Sequence, residues 1–265
     1  MGNRPYFSII VAAYNAESTI RMTIDSILRQ SFSDYEIVVK DALSTDQTLE
    51  HIPESKHIRV ISTKDHGIYD GMNEGIREAH GKFLCFLNCG DIFHSSEVLA
   101  QVHAAIIQGK FEDDSVVYGD CFAHGKVEKN PEVLTRAFLL RRPLCHQTMF
   151  FARSLFETYG CYDCTYKIVA DYDFTLKTFC SSVPYHHVNV VICAYLGDGF
   201  STRNAQLLAA ENQRVLHTYF SKKELCISQI KAILTLRRLR IYIASDRSPA
   251  WLRNLYRSLS NTVNR

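Results

Sequence analysis

Four short apolar runs recur within the first 95 residues, and each run ends at a polar turn that carries a carboxylate. The runs span residues 7–13, 35–39, 58–61 and 83–87. Their length and their β-branched and aromatic content predict strands, and the unbroken apolar character of the first run predicts a central strand buried on both faces. A stretch with apolar residues at helical spacing follows each run. Four such units predict an α/β protein with a doubly wound, mostly parallel sheet and helices on both faces.

The carboxylates of the four turns are expected to lie at one edge of this sheet. They are Glu17, Asp41, Asp65 and Asp91. Right-handed crossovers bring the carboxyl ends of parallel strands to the same edge, and open α/β sheets bind their ligands there. The sequence therefore predicts one ligand site at that edge. The alternative is that Asp91 caps a turn and that Asp41 is an ordinary turn residue.

The second half of the chain is less regular and predicts a mixed sheet. A strand is expected at residues 116–118, a hairpin around a glycine turn at 122–128, and a strand after the dipeptide His146-Gln147. A helix opens near Ala170, a further strand spans 188–196, and a helix covers 205–219. Residues 1–219 are therefore expected to form one domain.

Residues 220–265 differ from the rest of the chain in charge. They hold ten Lys/Arg and two Asp/Glu, a net charge of 10 − 2 = +8, so the other residues carry 2 − 8 = −6 of the total of +2. Ile and Leu alternate with these cations, and Trp251 follows Pro249. This pattern predicts a basic amphipathic helical tail that docks on the anionic cytoplasmic face of the inner membrane. The alternatives are packing on the catalytic domain, a dimer contact or a solvated helix face.

The cysteines and the apolar runs restrict the expected location. The nine cysteines are scattered, and the one C-x-x-C pair, Cys161 and Cys164, has no second pair or nearby His to complete a zinc pattern. This usage is typical of free thiols in a reducing compartment. No apolar run approaches the ~18 residues of a membrane span, and the first ten residues lack a signal-peptide layout. We expect a cytoplasmic protein, peripheral on the membrane, without a nucleic-acid partner.

Six segments in sequence order resemble family 2 glycosyltransferases, which have the GT-A fold. They are SIIVAAYNAESTI, EIVVKDALSTDQT, KDHGIYDGMNEGI, FLNCGDIF, HQTMFFARSLFETYGCYD and ADYDF, and the resemblance covers residues 6–202. The subgroup with GIYDAMN and LNxGD motifs resembles enzymes of bacterial surface-polysaccharide assembly, including colanic-acid-type transferases. The resemblance implies inverting transfer of a sugar from a nucleotide diphosphate, UDP in the first instance, to a hydroxyl of a lipid-linked or growing glycan.

The resemblance also assigns roles to particular residues. It implies that Asp171 is the catalytic base and that Asp91 binds Mg²⁺ or Mn²⁺, which would offset the charge of the diphosphate leaving group. It implies nucleotide-sugar binding by a set of turn residues: Ala12, Tyr14, Asn15, Glu17, Asp41, Asp65, Asn88, His146 and Gln147. Within this set, Asp41 matches the position that binds the uracil.

Two motifs depart from the family pattern. Asn88 and Gly90 precede Asp91 where the family has D-x-D, so one carboxylate remains for the metal. The family's E-D pair reads Ala170-Asp171, and Asp173 would either compensate or face away and cap the helix. Asp171 itself could be a helix N-cap, and His146 an ordinary satisfied histidine.

Further alternatives concern function and neighbouring side chains. A nucleotidyltransferase needs a Gly-rich, Lys- or Arg-containing loop after the first strand, and AAYNAEST has no Gly or Lys. A non-catalytic sugar-nucleotide binder would explain the reduced acidic motifs. His66 is expected in solvent, and Tyr69 and Met72 are expected to pack in the core.

Overall fold

The computed structural model describes residues 4–111, 113–195 and 203–228. The chain divides into two units, Met1–Tyr219 and Phe220–Arg265. The strands are β1 Phe7–Ala13, β2 Tyr35–Asp41, β3 Ile58–Ser62, β4 Phe83–Phe86, β5 Ile92–Phe93, β6 Val116–Ala123, β7 Lys126–Glu128, β8 Met149–Ala152 and β9 Tyr185–Tyr195. The α-helices are α1 Ile20–Leu28, α2 Ile68–Glu78, α3 Val98–Gly109, α4 Arg136–Leu139, α5 Arg153–Tyr159, α6 Ala170–Cys180 and α7 Ala205–Tyr219. Short 3₁₀ turns cover Leu49–His51 and His146–Thr148.

One mixed sheet holds all nine strands, in the order β3-β2-β1-β4-β8-β6-β9-β5, with β7 paired to β6. Strands β1 to β4 are parallel, as the repeated β–α pattern predicts. Strand β8 runs antiparallel to both β4 and β6, and β9 is parallel to β6. The carboxyl ends of β1 to β4, β6 and β9 therefore share one edge with the amino end of β8. The predicted α/β class with a mixed sheet is confirmed.

The central strands are covered on both faces. Every residue of β1 except Ala12 is buried, and so is every residue of β4. Helix α2 packs on β1 and β2, and Gly75 permits close approach because a Cβ there would lie 2.5 Å from Cγ2 of Ile10. Buried alternate positions on both faces explain why β1 reads as a continuous apolar run.

The element boundaries differ from the sequence expectations in small ways. Strand β4 ends at Phe86. The two-residue strand β5 pairs antiparallel with β9, and no apolar run in the sequence predicts it. The predicted hairpin is present, with Cys121 opposite Glu128 and a turn at Gly125 (φ +77°). Helix α6 begins at Ala170, so Asp171 lies in its first turn and not at its N-cap.

Residues 220–228 are the described part of the second unit, and residues 222–228 are helical. The predicted basic amphipathic tail otherwise lies outside the described residues. Among the described helices, none combines the length and the apolar character that crossing a membrane requires.

Candidate functional site

The turns after β1 and β2 clasp each other through reciprocal hydrogen bonds. The backbone N–H of Asn15 donates to Oγ of Ser44 at 2.9 Å, and Oδ1 of Asn15 accepts from the N–H of Thr45 at 2.9 Å. Glu17 Oε2 accepts from the N–H of Gln47 at 3.1 Å. Asn15 adopts a left-handed conformation (φ +46°), which asparagine tolerates better than most residues. The two turns thus form one wall at the edge of the sheet, although their sequences lie 30 residues apart.

Asp41 lies at the end of β2 and is completely buried. Its Oδ1 accepts a hydrogen bond from Oγ of Ser44 at 2.5 Å, and its Oδ2 accepts from Oγ of Ser62 at 2.6 Å. These donors fix the carboxylate and satisfy it. Ala12, at the end of β1, is partly exposed, and the side chain of Tyr14 is 65% exposed at the rim of the same wall.

Lys40 is a buried cation beneath the two turns. Its Nζ lies 3.1 Å from Oδ2 of Asp65 and 3.4 Å from Oε2 of Glu74, and it donates to the carbonyl oxygens of Thr63 at 2.7 Å and Asp41 at 3.0 Å. A buried charge requires this degree of pairing. Asp65, predicted as a polar group near the nucleotide, therefore contacts a lysine that stabilises the loop between β3 and α2.

Asp91 follows β4 across a turn in which Gly90 has a φ of +101°, a conformation that favours glycine. The carboxylate is buried and accepts a hydrogen bond at Oδ2 from Nε2 of Gln147 at 2.6 Å. Gln147 in turn accepts at Oε1 from Sγ of Cys145 at 2.8 Å. Burial raises the pKa of Asp91 above its ordinary value, and the bond from Gln147 and the charge of His146 offset only part of that rise.

The carboxyl ends of β2 and β4 flank that of β1 at one edge of the sheet, and Cys89 lies in the turn after β4. Burial, followed by the negative charges of Asp91 and Asp41, raises the pKa of the Cys89 thiol to about 12. The thiol is therefore protonated at neutral pH.

Asp171 and His146 form a charge pair between the loop before β8 and the first turn of α6. His146 Nδ1 lies 3.2 Å from Oδ2 of Asp171, and the hydroxyl of Tyr69 donates to Oδ1 at 2.7 Å. Burial alone would raise the pKa of Asp171 and lower that of His146. The contact between the two groups, with the bond from Tyr69, outweighs burial, so the pKa of Asp171 is lowered and that of His146 is raised.

Asn88 connects this pair to the turn after β4. Its Nδ2 lies 3.1 Å from Nε2 of His146, and its Oδ1 is buried without a hydrogen-bond partner among the described residues. A hard divalent cation takes oxygen ligands, and the turn after β4 offers this amide oxygen and the carboxylate of Asp91. The described residues contain no group of three or more His, Cys, Asp or Glu side chains that could hold a metal ion. Such a cation would take most of its ligands from a bound molecule and from water.

The predicted site residues therefore fall into three groups. Hydrogen bonds and charge contacts link Asn88, Asp91, His146, Gln147 and Asp171 across the loops after β4, before β8 and at the start of α6. Asn15, Glu17 and Asp41 belong to the clasped turns, and Asp65 contacts Lys40.

Asp173 and Tyr69 resolve two alternatives that the sequence leaves open. Asp173 accepts from the hydroxyl of Tyr219 at 3.1 Å, which directs it toward α7 and away from Asp171. Tyr69 is buried, as expected for a packing residue, but its hydroxyl contacts Asp171, which the packing interpretation misses. Sequence reasoning also misses Lys40, Ser44 and Ser62 as partners of the site.

Comparison with known proteins identifies the family. Residues 8–168 match the sequence profile described as "Glycosyl transferase family 2". The chain belongs to this family. It is 33% identical over 198 residues to a "PGL/p-HBAD biosynthesis glycosyltransferase" of Mycobacterium bovis, a match that covers 72% of this chain and 77% of the relative. It is therefore an enzyme, a glycosyltransferase, and the resemblance given by its motifs is confirmed at the level of the family.

A second relative matches a shorter part of the chain. This is "UDP-Glc:alpha-D-GlcNAc-diphosphoundecaprenol beta-1,3-glucosyltransferase WfaP" of Escherichia coli, 34% identical over 99 residues, which covers 36% of this chain and 39% of the relative.

Solved structures confirm the GT-A fold. The mannosyltransferase PcManGT of Pyrobaculum calidifontis, in complex with GDP-Man and Mn²⁺, superposes with a TM-score of 0.65 at 17% identity, over 100% of this chain and 82% of that one. S. aureus TarS 1–349, in complex with UDP, superposes with a TM-score of 0.60 at 21% identity, over 82% of this chain and 73% of that one.

Proposed function

We propose that this glycosyltransferase transfers a sugar, with inversion, from a UDP-sugar to a hydroxyl of a lipid-linked or growing glycan in the assembly of a bacterial surface polysaccharide. One observation carries the proposal. The adjacent residues His146 and Gln147 contact Asp171 on one side and Asp91 on the other. A candidate base and a candidate metal-binding carboxylate are therefore held in one site by a single dipeptide.

The proton chemistry of the reaction rests on Asp171. An acceptor hydroxyl is a weak nucleophile, and a carboxylate in hydrogen-bond reach can take its proton as the new bond to the sugar forms. Contacts from His146 and Tyr69 hold the pKa of Asp171 below its ordinary value, so the carboxylate is ionised at neutral pH. Inversion requires the acceptor to attack the sugar on the face opposite the diphosphate, so the base must lie on the acceptor's side of the sugar.

The clasped turns after β1 and β2 are the proposed binding site of the nucleoside. Asp41 is fixed by Ser44 and Ser62 at the end of β2, where a uracil base would meet a preorganised carboxylate. Tyr14 is largely exposed at the rim of these turns and offers an aromatic surface to the ligand. The UDP in the complex of S. aureus TarS supports a uridine nucleotide as the first donor to test.

Asp91 and Asn88 are the proposed ligands of Mg²⁺ or Mn²⁺. When bound, such an ion offsets the negative charge that develops on the leaving diphosphate. Gln147 orients the Asp91 carboxylate through its 2.6 Å hydrogen bond. The Mn²⁺ in the complex of the Pyrobaculum mannosyltransferase supports testing this ion in the present enzyme.

The acceptor side of the proposal rests on a relative and on the tail. The E. coli relative is named for a diphosphoundecaprenol acceptor, which is a membrane lipid. We infer a lipid-linked acceptor, as in lipopolysaccharide or exopolysaccharide assembly. The basic residues of 220–265 would then hold the enzyme peripherally on the cytoplasmic face of the inner membrane, close to that acceptor. Membership of the family favours sugar transfer over the nucleotidyltransferase and non-catalytic alternatives.

A donor screen tests the proposal. The purified full-length enzyme is incubated with a panel of UDP-, GDP- and dTDP-sugars, a polyprenyl-diphosphate-linked sugar in detergent, and Mg²⁺ or Mn²⁺. We expect release of UDP together with a product one sugar heavier, whose new linkage has the anomeric configuration opposite to that of the donor. Transfer from GDP- or dTDP-sugars alone would refute the uridine assignment, and a product with the donor's configuration would refute inversion.

A further inference from the structure

Tyr69 lies in the first turn of α2 with its ring buried against that of Tyr162. The ring centroids are 5.5 Å apart at an interplanar angle of 58°. The Tyr69 hydroxyl has two acceptors in reach, Oδ1 of Asp171 at 2.7 Å and the backbone carbonyl oxygen of Ile168 at 2.5 Å. The phenolic oxygen from α2 therefore meets two acceptors at the start of α6, one in its first turn and one just before it.

A phenol carries one proton, so this hydroxyl can donate to one of the two acceptors at a time. While Asp171 is ionised, its charge makes it the stronger acceptor, and the proton points to it. When Asp171 becomes neutral, it is a weaker acceptor, and the same hydroxyl can turn to the carbonyl of Ile168. In both states the buried phenolic O–H therefore keeps an acceptor.

We propose that Tyr69 is a positioning residue for the base, because its hydroxyl turns between Asp171 and Ile168 as Asp171 gains and loses the acceptor's proton. This inference rests on the proposed function of Asp171. In the step itself, the acceptor O–H bond breaks, its proton goes to Asp171, and the freed electron pair forms the new bond to the sugar carbon. The diphosphate leaves with the electrons of the old bond. Tyr69 makes no bond to the substrate.

The variant Tyr69→Phe tests this assignment while it keeps the ring. We expect kcat to fall about 10- to 100-fold, since a hydrogen bond to a charged group is worth about 1.5–3 kcal/mol. The KM for the donor and the affinity for UDP should stay at wild-type values. The acidic limb of the pH–rate profile should move to higher pH, because Asp171 then keeps His146 as a partner but loses the donor that favours its ionised form.

Tyr162→Phe is the matched control. The Tyr162 hydroxyl is buried beside the same ring but has no hydrogen-bond partner among the described residues, so its removal should leave kcat unchanged. A double variant distinguishes an effect of Tyr69 that acts through Asp171 from a general destabilisation of the enzyme. If Tyr69 acts through Asp171, adding Tyr69→Phe to Asp171→Asn should lower kcat no further than Asp171→Asn alone.

Several outcomes would overturn the inference. Wild-type kcat and an unmoved acidic limb in Tyr69→Phe would do so, as would additive losses in the double variant or a kcat loss of equal size in Tyr162→Phe. A loss of UDP affinity in Tyr69→Phe would make the role structural and overturn it as well. If Asp171→Asn is inactive while Tyr69→Phe is normal, only this inference fails. If Asp171→Asn is fully active, the proposed base fails too.

Discussion

His146 Nδ1 lies 3.2 Å from Oδ2 of Asp171, at the meeting point of the loop before β8 and the first turn of α6. The side chains are 19% and 16% exposed, so water screens the contact only partly. The α6 amino terminus adds a favourable dipole for a negative charge at Asp171. The contact between His146 and Asp171 would keep the base ionised. It therefore also makes the stability of the folded protein depend on pH.

The pair predicts a defined pH window for its stabilising effect. Asp171 has a pKa below its ordinary 3.8, so its contribution is present above that pH and is lost as pH falls through the folded-state pKa. His146 has a pKa above its ordinary 6.5, so its contribution is complete below that pH and is lost as pH rises through the folded-state pKa. The Tm difference between wild type and His146→Gln should therefore be largest between about pH 4 and 6.5.

Thermal unfolding from pH 3 to pH 9 measures this difference. His80→Gln is the control, because His80 is an exposed histidine whose replacement should leave the Tm profile unchanged. A Tm difference for His146→Gln that stays constant across the range would show that the pair is not charged in the folded protein.

Asp41→Asn tests the nucleoside site. The substitution preserves the size of the side chain. It leaves one oxygen to accept from Ser44 or Ser62, and the hydroxyl of the other serine can accept from the new amide N–H. It removes the charge that would bind the uracil N–H. We expect the Kd for UDP to rise about 10- to 100-fold, which corresponds to about 1.5–3 kcal/mol. Titration calorimetry with UDP and GDP supplies the measurement and its internal control. Unchanged UDP affinity, or an equal loss for both nucleotides, would remove Asp41 from base recognition.

Asp91→Asn tests the metal assignment. The variant keeps an oxygen for Gln147 but loses the carboxylate, so we expect it to lose stimulation of transfer by Mg²⁺ or Mn²⁺. Asp25→Asn, in an exposed ion pair with Arg21 on α1, should keep it. Wild-type transfer at full rate in excess chelator would contradict the role of Asp91, and the diphosphate would then depend on other donors of the site.

The basic tail predicts salt-sensitive binding to anionic membranes. Full-length protein should float with anionic liposomes at low salt, since each Lys or Arg near such a surface contributes about 1 kcal/mol and salt screens it. Protein truncated after Phe220 should remain in the soluble fraction, and so should a full-length variant with Arg237, Arg238 and Arg240 replaced by Ala. Equal flotation of all three forms would assign membrane binding to another surface.

The first half of the fold follows from local sequence because its strands alternate regularly with helices. Apolar runs of strand length and helical spacing between them define β1 to β4, and the handedness of crossovers then brings Asp41 and Asp91 to one edge. The second half could not be read in this way. The reversal of β8 against β4 depends on contacts between distant segments, and the two residues of β5 are too few to form a recognisable pattern.

The candidate site shows the same division between local and distant information. The motifs point to Asp171, but its partners Tyr69 and His146 lie 102 and 25 residues away, and no spacing rule connects them. Lys40 shows the same limit, since the sequence assigned it no role. Its side chain is buried because Asp65 and Glu74 reach it from the next loop and helix.

The variant Asp171→Asn tests whether Asp171 is the catalytic base, with transfer rate and UDP affinity measured on the same protein. The amide still accepts from Tyr69 but cannot take a proton from the acceptor at neutral pH. We predict that the Kd for UDP stays at the wild-type value while kcat falls about 10²- to 10⁴-fold, the usual contribution of general base catalysis. A kcat within a few-fold of wild type, with UDP binding intact, would contradict the account and show that another group removes the acceptor's proton.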